Sequence, residues 1–194
     1  MAISLSKGQG ISLTKENPQL NSILVGLGWE QRKTDGDAYD LDASAFLLDE
    51  SGKVYQQPGI VGYVDGCETG ANGAIVYSGD NQTGEGDGDD EHLTLMLSDI
   101  PEAIKKVVFT VTIHKADERG QNFGGVEDSF IRVVNQDNNE ELCKYDLRED
   151  FDTETSMILG ELYRHDGGWK FRAIGEGFND GLAGLCNTFG VQVK

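Results

Sequence analysis

Apolar residues along this chain come in runs of strand length, and each run is closed by Gly, Asn, Asp or Ser before a helical period can establish itself. That spacing is incompatible with alternating strand–helix units and predicts an antiparallel, all-β-dominated fold. The predicted strands are 3–6, 11–14, 22–29, 41–48, 60–64, 74–77, 92–97, 106–114, 129–135, 141–145, 157–164 and 168–174. Three hairpins are readable. Ala43 to Leu48 turns through 49–52 into Val54, Phe130 to Val134 turns through 136–139 into Leu142, and Leu159 to Tyr163 turns through 166–168 into Trp169 and Phe171. An antiparallel β-sandwich with a few short helices accommodates this many strands. Two helices are expected. Residues 99–106 carry Asp99 at the start, Pro101 early and lysines late, as caps and dipole prefer. In 180–190, Leu182, Leu185, Cys186 and Phe189 fall on one stripe, expected to close one end of the sandwich.

Residues 1–194 read as a single domain, since the three prolines are isolated and no linker composition interrupts the pattern. The acidic stretch 148–155 reads as a solvated connection. Thirty-four acidic against sixteen basic residues give a formal charge of −18, which repels nucleic-acid phosphates and anionic lipid headgroups alike. Nucleic acid is therefore not an expected partner, and any membrane contact has to run through a bound cation. Cys67, Cys143 and Cys186 form an odd count without a CxxC pair, the usage of reduced thiols. The first residues lack the charged region and apolar run of a signal peptide, and no apolar stretch reaches membrane-span length. A soluble, cytoplasmic protein is expected.

The segment Ser78–Glu91 threads glycines through Asp80, Glu85, Asp87, Asp89, Asp90 and Glu91 without one Lys or Arg. Such crowding costs Coulomb repulsion that a divalent cation relieves. Ca2+ takes roughly 6–8 oxygens from carboxylates, amides and backbone carbonyls, and this loop supplies that ligand type. A solvated acidic tip is the plain alternative, but it has no need of glycine at 79, 84, 86 and 88. The segment does not fit an EF-hand frame, because Gln82 and Gly84 fall where acidic ligands belong.

Asp40 and Asp42 share one face at the entrance of the strand 41–48, forming half a cation site. If both acidic groups lie at the same end of the sandwich, they exceed the needs of one ion and suit two. Asp117 and Glu118 are further candidates. Motifs for catalysis are missing: His92, His114 and His165 have no zinc spacing, and neither a Walker loop nor a G-x-S-x-G elbow occurs. A binding protein is expected rather than an enzyme, with a metal-dependent hydrolase at the same acidic site as the alternative.

Six segments together resemble the TerD family of tellurium-resistance and bacterial stress proteins. They are 5–9 (LSKGQ), 39–46 (YDLDASAF), 79–91 (GDNQTGEGDGDDE), 130–135 (FIRVVN), 160–164 (GELYR) and 168–173 (GWKFRA). The resemblance implies a calcium-binding β-sandwich with two neighbouring Ca2+ sites, a cytoplasmic setting, and a place in gene clusters protecting against tellurite, phage and other stresses. Transferred by motif, the metal ligands are Asp40 and Asp42 from the strand, and Asp80, Asn81, Asp87, Asp89, Asp90 and Glu91 from the loop. Gly84 adds a carbonyl. Gln82 departs from the family pattern at a position where an outward side chain is harmless. The implied role is a Ca2+-dependent sensor or scaffold that docks other proteins of the same stress system or a membrane surface, the latter placing it peripherally at the inner membrane.

Overall fold

The computed structural model describes residues 2–31, 39–64, 66–79, 88–147, 151 and 153–192. In chain order the described elements begin with β1 (Ile3–Ser4), β2 (Gly10–Ser12), the one-turn helix α1 (Leu13–Glu16), β3 (Ser22–Gln31) and β4 (Leu41–Leu48). Next come β5 (Ile60–Gly62), β6 (Thr69–Gly70), β7 (Ile75–Tyr77), β8 (Glu91–Met96), β9 (Lys106–Ile113) and α2 (Ala116–Arg119). The chain continues with β10 (Val126–Asn135), β11 (Glu140–Asp146), β12 (Ser156–His165), β13 (Gly168–Phe178) and α3 (Gly181–Phe189).

The strands form two sheets. One has seven strands in the order β1-β11-β10-β3-β8-β7-β6, and the other six in the order β2-β13-β12-β9-β4-β5. Pairing is antiparallel except for β1, which runs parallel to β11. The sheets face each other across one apolar layer. Val25, Leu27, Leu93, Leu95, Ile131 and Val133 come from the seven-stranded side, and Leu41, Ala43, Ala45, Phe109 and Phe171 from the six-stranded side. Burying that layer from water is the main term holding the sheets together.

The two sheets differ in their outer faces. Along β8, buried and half-buried residues alternate, the pattern of a sheet with one solvated face. All eight residues of β4 are buried, and α3 lies across the outer face of the six-stranded sheet, where it covers Phe46 and Leu48. There Leu185, Cys186 and Phe189 pack on Phe46, Val108 and Ile158, with the Phe46 and Phe189 ring centroids 4.7 Å apart. The C-terminal stripe therefore forms the expected helix but covers a sheet face instead of closing an end.

The three expected hairpins are present: β10 and β11 join through 136–139, β12 and β13 through 166–167, and Leu48 bridges to Val54. The helix expected over 99–106 is absent. Those residues form turns closed by Asp99 N–H to Met96 O and Ile104 N–H to Pro101 O. Tertiary packing overrides the capping signal, because Ile100 and Ile104 are both buried and the Arg164 side chain donates to their carbonyls at 2.7 and 3.1 Å. The strand expected over 11–14 ends at Ser12, and Leu13 opens α1. Cys67, Cys143 and Cys186 are free thiols, all buried. Among the described residues no helix is long and apolar enough to cross a membrane.

Candidate metal centre

Antiparallel register decides which acidic residues share an end. Leu27 near the end of β3 pairs with Glu91 at the start of β8, and Leu41 at the start of β4 pairs with Ile113 at the end of β9. Within their sheets these pairings put Asp89, Asp90 and Glu91 at one strand end and Asp40 and Asp42 at another, and the Ala43 N–H bond to Glu91 Oε2 brings the two ends together. Asp80, Asn81, Gly84 and Asp87, the other expected ligands, lie outside the described residues.

Glu91 links the two sheets. Its side chain points inward with Leu93 and Leu95, it is 0% exposed, and its Oε2 accepts the Ala43 N–H of β4 at 2.7 Å. Asp42, next to Ala43, faces the opposite side of β4. It is 7% exposed, with its Oδ2 3.6 Å from His114 Nδ1. His114 in turn donates its backbone N–H to Asp40 O at 2.8 Å and sets its ring edge-on to Tyr63, centroids 6.3 Å apart.

Asp90 and Asp89 diverge although adjacent. Asp90 donates its N–H to Leu27 O at 2.9 Å, and its Oδ2 accepts the Trp29 N–H at 2.8 Å. Burial pushes the Asp90 carboxyl above its ordinary value; the Trp29 hydrogen bond opposes that shift, and the charges of Asp89 and Glu30 add to it. Asp89 lies over the outer face of the seven-stranded sheet. Arg132 Nε donates to its Oδ1 at 2.7 Å and Arg132 Nη2 to its Oδ2 at 2.9 Å, a forked pair, while Nη1 reaches Glu141 Oε2 at 3.1 Å. The Asp89 hydrogen bond is also the largest cause raising Arg132 above the usual guanidinium value. Asp117 and Glu118 are exposed on α2.

The described carboxylates do not by themselves form a cage. Among the described residues no group of three or more His, Cys, Asp or Glu side chains is placed to hold a metal ion. What they form is an oxygen-rich end whose donor chemistry suits a hard cation: carboxylates from both sheets, one wholly buried, one held protonated to higher pH by burial and like charge. Sequence reasoning missed Arg132. Its outward position in the alternation Ile131-Arg132-Val133 signals a cation on a solvated face, but its partner lies 43 residues away and carries no local mark.

The fold agrees with what comparison shows. The family model described as the TerD domain matches residues 1–189, and the chain belongs to that family. It is 51% identical over 194 residues, covering all of both chains, to the tellurium resistance protein TerD of Serratia marcescens. To general stress protein 16U of Bacillus subtilis (strain 168) it is 52% identical, again over 194 residues and all of both chains. Two solved structures share the fold at 24% identity. One, a protein of unknown function, superposes with a TM-score of 0.70 over 90% of this chain and 99% of its own. The other, a homologue of telluride resistance protein (TerD) from Streptomyces coelicolor A3(2), gives 0.67 over 86% and 95%. The chain is thus one of the tellurium-resistance and stress proteins by family.

Proposed function

We propose that this chain binds calcium, two ions by the expected ligand count, at the acidic end of the sandwich, and that loading turns this end into a docking surface. The docked partners are other proteins of its stress system or an anionic membrane surface, and the role is binding, without catalysis. The carrying observation is the Glu91–Ala43 hydrogen bond, which draws the acidic segment of β8 against the strand entrance that holds Asp40 and Asp42. Asp40, Asp42, Asp90 and Glu91 are the described residues proposed to hold the ions. Asp80, Asn81, Gly84 and Asp87 are proposed for the remaining positions from the sequence pattern.

Bound calcium supplies positive charge and coordination positions for an incoming oxygen ligand. The chain's own residues set the conditions for its effect. At a formal charge of −18 the body repels phosphates and carboxylates, so an anionic partner approaches only where the local field has been inverted. Glu91 and Asp90 stiffen the site by fixing its backbone on both sheets, which leaves less ordering to be completed on binding.

Isothermal titration with CaCl2 and MgCl2 tests the first half, with a calcium dissociation constant on the order of 10⁻⁷–10⁻⁵ M expected. Absent calcium heat, or equal affinity for Mg2+, overturns it. Co-sedimentation with anionic and neutral vesicles, each with Ca2+ and with chelator, tests membrane docking. Sedimentation only with Ca2+ and anionic lipid supports that branch. Its absence leaves protein partners, sought by calcium-dependent capture of the other products of the same gene cluster.

A further inference from the structure

Three consecutive carboxylates leave the acidic segment in three directions. Glu91 points between the sheets to Ala43 N–H, Asp90 turns back to Trp29 N–H, and Asp89 lies on the outer face of the seven-stranded sheet. Asp89 has a prepared seat there. On β10, Arg132 stands opposite Gly26 of β3, and a Cβ at Gly26 would meet Asp89 Cγ at 2.2 Å. The seat exists because position 26 has no side chain. Both Asp89 oxygens accept from the Arg132 fork, and the third guanidinium arm is held by Glu141 of β11, so two strands, β10 and β11, and the segment are joined through one cation.

We propose that Asp89 is an anchor and not a metal ligand, and that Arg132 is a positioning residue for the cation site. Held on the outer face, Asp89 fixes the point where the acidic segment enters β8, and this fixes the directions of Asp90 and Glu91. The proposal rests on the calcium reading above and sharpens its ligand set. For Asp89 to share an ion with the inward-pointing Glu91, it would have to leave the outer face, giving up two charge-assisted hydrogen bonds and leaving Arg132 with Glu141 alone.

Calcium titration of Asp89→Asn, Arg132→Lys, Arg132→Gln and the Asp89→Asn/Arg132→Gln double variant decides the matter. An anchor acting through Arg132 predicts that each single variant binds calcium about tenfold more weakly, because fewer molecules present Asp90 and Glu91 correctly. The double variant then binds no worse than either single one. Arg132→Lys keeps the charge but not the fork, so it weakens binding as Arg132→Gln does. If Asp89 is a ligand, Arg132→Gln tightens binding, by freeing the carboxylate and removing a nearby positive charge; that result overturns the proposal. Backbone amide exchange in chelator gives a reading without metal. Faster exchange of the Trp29 and Ala43 amides in Arg132→Lys supports the anchor even if wild-type protein shows no calcium heat, an outcome that would count against the calcium reading alone. Unchanged exchange at both amides overturns the anchor.

Discussion

Substituting Gly26→Ala probes the seat of Asp89 without touching any charged group. The new Cβ would fall 2.2 Å from Asp89 Cγ and 2.3 Å from each carboxylate oxygen, so the carboxylate has to leave. Moving a side-chain tip is ordinarily cheap, but this one is gripped by two guanidinium hydrogen bonds. Hydrogen bonds to charged groups are worth roughly 1.5–3 kcal/mol each when well buried. The Arg132 side chain is 31% exposed and that of Asp89 10%, so solvent screening brings the whole fork to about 2 kcal/mol. Replacing a strand glycine by alanine returns roughly 0.5–1 kcal/mol of backbone entropy. The net loss of about 1–1.5 kcal/mol lowers Tm by roughly 3–5 °C for a chain of this length. Calorimetric melting in chelator measures it. In an Asp89→Ala background nothing occupies the seat, and Gly26→Ala should instead raise Tm by a degree or more. A drop of similar size in both backgrounds, or no drop in the wild type, refutes the reasoning.

Three further outcomes are expected. Calcium at about 100-fold excess over its dissociation constant should add roughly 2.7 kcal/mol per site, seen as a Tm rise that chelator reverses; Asp42→Asn should shrink the rise, and Asp166→Asn, whose side chain is 88% exposed at the opposite end, should not. Truncating Phe189→Ala, whose ring stands 4.7 Å from that of Phe46, should cost about 3 kcal/mol and open Cys186 to thiol reagents, read by denaturant melting and labelling. Burial pushes the Cys143 thiol from 9.0 to about 12, so it should resist labelling in the native state at pH 8. An unfolded thiol loses its proton near 9 while the folded one keeps it to about 12, so this contribution to stability is complete below pH 9 and falls as pH rises from 9 to 12, measurable by melts across that range.

Local signals made much of the fold legible. The run 41–48 was bounded correctly by Asp40 and the turn at Asp49, and the hairpins around 136–139 and 166–168 announced themselves through Asn, Asp and Gly. What failed had no local signature. Thr69–Gly70 forms a strand only because Ile75 and Val76 are there to pair with it, and 99–106 is unwound by Arg164 and the burial of two isoleucines. At the candidate site, residue types were readable and directions were not. The alternation that puts Asp40 and Asp42 on one face is a property of the strand itself. The meeting of Glu91 with Ala43 depends instead on two sheets packing, and the capture of Asp89 depends on an arginine in a strand 43 residues further on.

The order of strands in the sheets also dictates when either sheet can be finished during synthesis. β2 has its neighbour in β13, through Ser12 and Lys170, and β1 has its neighbour in β11, through Ile3 and Cys143. β1 therefore waits, unpaired, until β11 at Glu140–Asp146 has left the ribosome, and β2 until β13 at Gly168–Phe178 has. Until then β11 and β13 do not exist to receive them, and the nascent chain carries open strand edges that invite association with other chains. Closure of so many distant pairings makes folding slow relative to a helical protein of the same length, and it makes a prematurely ended chain an aggregating one rather than a smaller folded one.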